Sequence, residues 1–311
     1  MAPSYSGVWN ISTQYQYASV WPEPPLSGNI GLIVSLHRAS GYAQEGTDFI
    51  TITTTGNAED WGDLNSNKDG GGGFASSTRG VFGGNTSSSN VIEYVTIANK
   101  GQSFDFGDLS VGRGYMNGSS NSTRGLFGGG ATSDVIDYVT IASTGNATDF
   151  GNLTVARYSI GSSANTTRAL WFGGDDGSGK KDVIDYVTIS STGNASDFGN
   201  LSSVRERVGG LSSATRCCMG GGLTSTNIIE YVTISSTGNV TDFGDLTVAR
   251  DLPVGLSNTT RGVFAGGSSD AASNVLDYIT IASTGNATDF GDLTGNGYLS
   301  CGCSNSHGGI A

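Results

Sequence analysis

The sequence predicts an all-β protein, a closed ring of small sheets. Three observations predict it. Glycine supplies 50 of 311 residues against only 5 Pro, which favours turns over helices without a collagen or Pro-rich pattern. One phrase, Val-Ile-Asp-Tyr-Val-Thr-Ile-Ala-Ser-Thr-Gly-Asn-Ala-Thr-Asp-Phe-Gly-Asn-Leu at residues 135–153, recurs with small changes. Its closing Leu falls at Leu64, Leu109, Leu153, Leu201, Leu246 and Leu293, at spacings of 45, 44, 48, 45 and 47. That is the length of one four-stranded propeller blade. The expected architecture is a six-bladed β-propeller closed by the C-terminal strand or strands, with a non-repeating N-terminal arm.

Residues 154–201 illustrate the elements in order. Tyr158-Ser-Ile-Gly is expected as a short first strand. Arg168-Ala-Leu-Trp-Phe-Gly-Gly is a second, ending on a Gly pair. Val183-Ile-Asp-Tyr-Val-Thr-Ile-Ser, rich in β-branched residues, is a third. Ala195-Ser-Asp-Phe-Gly-Asn-Leu is a fourth. The Ser-Thr-Gly-Asn between the last two fits a tight hairpin. From the third-strand aromatic to the fourth-strand aromatic is always 12 residues, as in Tyr138/Phe150 and Tyr186/Phe198. From the closing Leu to the Arg opening the next second strand is always 15, giving Arg79, Arg124, Arg168, Arg216 and Arg261. All length variation therefore falls between strands two and three, so a fixed frame presents one variable loop per unit.

A stack of such sheets buries its faces only against neighbours, and closing the stack removes its ends. The hairpin at Asp48–Leu64 lacks a clear first strand before it. After Leu293, the run Gly297-Tyr-Leu-Ser-Cys-Gly-Cys supplies a first strand with no third or fourth. The two termini are expected to share one blade. Its second strand comes from either His307–Ala311 or Gly31–Leu36. The domain division is residues 1–47 as an anchoring arm and 48–311 as the propeller.

Composition excludes several classes of function. The net charge of −12 repels nucleic acid. No run of about 18 apolar residues exists, so no membrane helix is expected. The start, MAPSYSGVWN, has no secretory pattern. The only histidines are His37 and His307, too few for most imidazole-based sites. Cys217, Cys218, Cys301 and Cys303 form no Cys-x-x-Cys pair and read as buried, reduced thiols. No cofactor or metal site is expected.

The repeats resemble kelch-type propeller repeats over roughly residues 48–311. The features that carry the likeness are the Gly pairs at Gly83-Gly84, Gly128-Gly129, Gly173-Gly174, Gly220-Gly221 and Gly266-Gly267, the third-strand Tyr, the fourth-strand aromatic, and a basic residue about seven positions later. Two departures mark a relative rather than a standard member: the fourth-strand aromatic is mostly Phe, and the 12-residue spacing is long. The near-identical Asp-Tyr-Val-Thr-Ile-Ala-Ser-Thr-Gly-Asn-Ala-Thr-Asp-Phe-Gly-Asp-Leu copies, with Gly7-Val8-Trp9 and Trp21-Pro22, are similar to virion proteins of tailed bacteriophages. That resemblance implies a non-enzymatic structural or adhesion protein of a virion assembled in the host cytoplasm, in a tail fibre or as capsid decoration. It further implies multiple copies, a host-surface polysaccharide as ligand, and other virion proteins as partners.

Several residues are candidates for binding. A basic residue four positions after each closing Leu, Lys68, Arg113, Arg157, Arg205 and Arg250, forms a ring of cations suited to an acidic glycan or a partner's carboxylates. The structural alternative is pairing with Asp63, Asp108 and Asp245. The second-strand arginines, Arg79 to Arg261, are expected to pair with the third-strand acids Glu93, Asp137, Asp185, Glu230 and Asp277. The longest variable loop, with Asp175, Asp176, Lys180 and Lys181, offers charged contacts. Its Gly-Ser-Gly-Lys lacks the spacing of a phosphate loop. A carbohydrate-active enzyme would need paired carboxylates, for which Asp175, Asp176 and Asp182 are the clustered choices. In the arm, Trp9, Tyr15, Tyr17, Trp21 and Pro22 are expected to anchor the chain to a larger assembly.

Overall fold

A computed structural model describes residues 26–37, 46–223, 225–269 and 271–310. No helix occurs among them. The strands form six antiparallel four-stranded blades in a ring, a six-bladed β-propeller. Blades are numbered here from the one that closes the ring.

Blade four shows how the repeat folds. From the axis outward its strands are Gly161–Ala164, Arg168–Phe172, Val183–Thr188 and Ser196–Asn200. The innermost strand is wholly buried, and the second is buried beyond Arg168. The second strand's Ala169–Phe172 is the continuous apolar run that a sheet covered on both faces needs, whereas the buried inner strand is Gly-Ser-Ser-Ala, whose Ser162 hydroxyl donates to Gly118 O. The inner strand starts three residues later than the sequence reading placed it. Ser159 adopts a left-handed backbone with φ 54°, which ends any extended run there.

The closing blade joins distant parts of the chain. One strand, Thr288–Ser304, serves two blades. Its residues 288–292 are the outermost strand of blade six, paired with Ala271–Thr280. Its residues 301–304 are the innermost strand of blade one, where Ser304 faces Gly31, Cys303 faces Leu32 and Cys301 faces Val34. Gly46–Thr51 and Glu59–Asp63 complete that blade. The open choice is thus resolved for residues 31–36. The ring begins at Ile30, inside the segment assigned to the arm. Leu32, Ile33 and Val34 are fully buried, which for an apolar run requires a covered strand.

Each seam between blades holds its own apolar cluster. Val34 and Trp61 of blade one pack with Phe82 and Val95 of blade two. Ile33 and Ile50 of blade one pack with Val254 and Leu276 of blade six. The other four seams are filled alike. Within each blade from two to six, the third-strand Tyr meets the fourth-strand Phe edge-on, at 5.8–6.2 Å between ring centroids.

The Ser-Thr-Gly-Asn turn does more than close a hairpin. It clasps the outermost strand of the preceding blade. Gly193 N–H donates to Phe150 O and Ala195 N–H to Asn152 O, both at 2.7 Å. Asn152 N–H donates to Asn194 Oδ1 at 3.1 Å. The same contacts recur at Asn146, Asn239, Asn286 and Asn57, the last clasping blade six. At the remaining seam, Gly101–Gln102 pairs in parallel with Gly62 and Asp63. The outer edges, which would otherwise template further strands, are covered.

Candidate functional site: the axial funnel

The inner strands surround an axial funnel, lined among others by Gly73, Gly118, Ser162, Gly210 and Gly255. Antiparallel order puts two kinds of connection on its open face: the variable loops and the segments leading into each inner strand. They are stitched together there. Thr86 N–H donates to Asp69 O at 2.7 Å, and Leu223 N–H to Glu206 O at 3.0 Å. Tyr158 and Asp175 exchange two backbone bonds, both at 3.0 Å.

A hoop of left-handed residues rims the mouth. Gly70, Tyr115, Ser159, Arg207 and Leu252 stand at equivalent places in successive blades, with φ of 63°, 57°, 54°, 62° and 54°. Each N–H after the first donates to the carbonyl of the preceding one, at 2.6, 2.7, 2.8 and 2.9 Å. Four of the five are not Gly, although this conformation is costly for a side chain of any bulk. Such outliers concentrate at functional sites. All five residues line the funnel.

The opposite end is blocked. Residues 305–310 cross the axis there, with Gly308 N–H donating to Ser212 O at 3.1 Å. The His307 Nε2 lies 3.1 Å from Ala75 O and 3.2 Å from Ser120 Oγ, while its Nδ1 accepts from Gly309 N–H at 3.0 Å. Nε2 therefore carries the proton. Burial holds this imidazole down at about 4. A Cβ on Gly309 would lie 1.9 Å from Ser120 O, so only glycine fits that crossing. The funnel is a blind one.

The ring of cations expected to face a ligand does not do so. Lys68, Arg113, Arg157, Arg205 and Arg250 are buried to 3% exposure or less and turn into their own blades. They pair with the third-strand acids. Lys68 lies 3.3 Å from Glu93, Arg113 3.0 Å from Asp137, Arg157 2.5 Å from Asp185 and Arg250 2.8 Å from Asp277, and Arg205 pairs with Glu230. Arg157 Nη1 also donates to Gly173 O and Val183 O. Burial pulls the Arg157 guanidinium down and pushes the Asp185 carboxyl up, and the ion pair opposes both. Asp63, Asp108 and Asp245 are not the partners.

The second-strand arginines have a different task from the one expected. Arg79, Arg124, Arg168, Arg216 and Arg261 stack on Tyr94, Tyr138, Tyr186, Tyr231 and Tyr278 at 4.4–4.6 Å. Each then donates to an Ile carbonyl of the next blade, as Arg168 does to Ile234 O at 2.8 Å. They rivet the seams.

In the long loop, Asp176 accepts from Ser178 and Gly179 and pairs with Lys181 at 2.8 Å. The Lys181 hydrogen bond holds its carboxyl well below the usual range. Asp175 Oδ1 accepts from Gly177 N–H at 2.7 Å. Both acids shape their own turn. Trp9, Tyr15, Tyr17, Trp21 and Pro22 lie outside the described residues.

A second polar group gathers beside the mouth, which the sequence reading did not single out. Blade four supplies Tyr158, Asp175 and Lys180, blade five Glu206 and Arg207, and blade six Asp251. Arg207 lies 3.1 Å from Asp251. Tyr115 and Tyr158 meet edge-on at 6.3 Å. Burial pushes the Glu206 carboxyl up, with Arg207 opposing. Burial and then Asp175 raise the Tyr158 hydroxyl. A signal was present: the fifth and sixth residues after each closing Leu vary between units that otherwise repeat closely. They read Asp-Gly, Gly-Tyr, Tyr-Ser, Glu-Arg, Asp-Leu and Tyr-Leu.

Among the described residues, no three His, Cys, Asp or Glu side chains gather as metal ligands. No family model and no curated protein matches the chain.

Proposed function

We propose that this protein is a non-catalytic binding module of a bacteriophage particle, which grips host-surface carbohydrate at the mouth of its axial funnel. The observation that carries the binding site is the hoop. Its framework repeats blade after blade, while the side chains it holds in a costly conformation differ at every position. Conserving the frame and varying the display is the arrangement of a recognition surface. The aromatic pair and the ring of hydrogen-bonding groups suit a sugar, which presents both an apolar face and hydroxyls. The place in a virion rests on the resemblance of the repeats. The arm that precedes the strand beginning at Ile30 is the proposed link to other virion proteins.

The test is retention on host-surface polysaccharide. Tyr115→Gly keeps the left-handed backbone and removes the ring, so retention should fall at least tenfold with the fold intact. Unchanged retention refutes the mouth as the site. Purified particles should contain the chain, and removing residues 1–25 should abolish its incorporation.

One observation favours a second reading, a glycosidase. Glu206 is a carboxyl raised by burial with Asp175 and Asp251 nearby, and enzymes poise a general acid in this manner. Release of reducing ends from the retained polysaccharide would establish it; an intact polysaccharide favours the module.

A further inference from the structure

The turn between the third and fourth strands of each blade lies on the face opposite the mouth, toward the outer rim. In blade five it borders a shallow cavity lined chiefly by Tyr231, Thr233, Ser236, Thr237, Asn239 and Thr241. The same six residue types stand at the same spacing in blades three and six, and in blade four with Ser196 at the last place. The fold accounts for two of the six. Tyr231 carries Arg216 on its ring and meets Phe243 at its edge, and Asn239 Oδ1 accepts from Asn200 N–H in the clasp. The four hydroxyls have no such task. Those of Thr233, Ser236, Thr237 and Thr241 take part in no hydrogen bond among the described residues, and neither do their counterparts in blades three, four and six.

Other repeated hydroxyls of the blades are engaged. Those of Thr167 and Thr260 donate to Asn165 and Asn258 at 3.0 and 3.1 Å. Those of Ser162, Ser212 and Ser257 donate to carbonyls of the preceding inner strand at 2.6–2.8 Å. The hydroxyls of the turn are exposed instead, and keep one arrangement through four consecutive blades. A hydroxyl both donates and accepts, and turns to suit its partner. Four of them beside a tyrosine edge match a ligand that alternates hydroxyls with C–H surface. No cation lines the cavity, and an exposed acid, Asp242, follows Thr241. Asp149, Asp197 and Asp289 hold that place in the other three blades. An anionic ligand would meet like charge at every copy. One shallow cavity grips weakly, whereas four alike on one rim suit a ligand that itself repeats.

We propose that these turns form four copies of one weak site for an uncharged, hydroxyl-rich polymer, so that a single polysaccharide chain is held at several points along blades three to six. This rests on the carbohydrate reading above for its ligand class alone, since the face and every residue differ. No covalent step is involved.

The experiment titrates the full chain with neutral hexose polymers, with their trisaccharide fragments, and with polymers containing uronate or sialate. Neutral polymer should bind at least a hundredfold more tightly than its trisaccharide. Thr237→Ala alone should weaken polymer binding about fivefold. Thr144→Ala, Thr192→Ala, Thr237→Ala and Thr284→Ala together should remove the polymer's advantage. Thermal unfolding of this fourfold variant should match the parent, because no hydrogen bond inside the fold is lost. A fourfold variant that binds polymer like the parent overturns the rim sites; the mouth, probed by Tyr115→Gly on the other face, is judged separately. Equal affinity of the parent for polymer and trisaccharide overturns them too. Earlier unfolding of the fourfold variant would reveal a structural task for the hydroxyls and do the same. Binding confined to the acidic polymers overturns the ligand class. Binding to no polymer overturns the rim sites and the carbohydrate reading together.

Discussion

Strand parity decides which arginine meets which acid. Arg168 pairs in register with Thr188. Side chains two apart share a sheet face, so Arg168 stands over Tyr186 and away from Asp185. Asp185 points to the other face, where Arg157 arrives from the preceding connection. The types of both rows were legible in the sequence, but their partners needed the hairpin register, which a variable loop hides. Arg157 and Asp185 are fully buried. Removing one partner alone, as in Arg157→Met, should cost about 3–5 kcal/mol. Arg157→Met with Asp185→Leu should recover most of it, and a double-mutant cycle by urea unfolding measures the coupling. Additive losses would disprove the pairing. His307 provides a pH test at the same scale. Its folded value of about 4 lies below the ordinary 6.5. Between those values the unfolded chain takes up a proton that the folded imidazole refuses. Stability is therefore complete above pH 6.5 and falls toward pH 4, by at most about 1.4 kcal/mol per pH unit. In His307→Gln the slope over that window should be shallower. Parallel slopes for the two proteins would refute this account.

At the scale of the element, the repeat is best understood through its clasp. The 12-residue spacing between aromatics was readable, and so was the turn within it. Its contact with another blade was not, because in identical copies a bond to the neighbour leaves the same trace as a bond within the unit. The 12-residue spacing is the length that lets the turn reach back to the preceding outermost strand. Asn194→Ala removes one side-chain acceptor from Asn152 N–H and should cost about 1 kcal/mol. Gly151→Ala should cost more. Its backbone sits at φ 145°, and a Cβ would lie 2.4 Å from Gly193 O, so the turn must move off the strand. Chemical unfolding ranks the two, and a Gly151→Ala protein as stable as Asn194→Ala would disprove the clasp. The inner strand was misplaced for a related reason. Nothing in Tyr158-Ser-Ile-Gly announces a left-handed Ser159, since the residue type that normally signals that backbone is absent.

For the whole molecule, the ring and its closure by the C-terminal strand were legible, because complementary half-units at two distant places imply one shared blade. What the repeat could not supply was the second strand of that blade, since Ile30–His37 copies no other unit. The four thiols make closure measurable. All are free and buried, and burial raises Cys218 and Cys301 to about 12. They react only when the structure opens around them. Cys301 and Cys303 lie on an innermost strand, paired on one side alone with Ile30–His37. Cys217 and Cys218 lie on a second strand, paired on both sides with Gly209–Ser212 and Ile228–Thr233. Releasing the first strand breaks one ladder, whereas exposing the second pair requires breaking two. Partial opening should therefore reach the closing blade at lower free energy than blade five. In native-state labelling under rising denaturant, Cys301 and Cys303 should be modified before Cys217 and Cys218. Peptide mapping resolves the two pairs. Simultaneous modification would mean that the ring opens only as a single unit, and that the closing strand is no weaker than the rest.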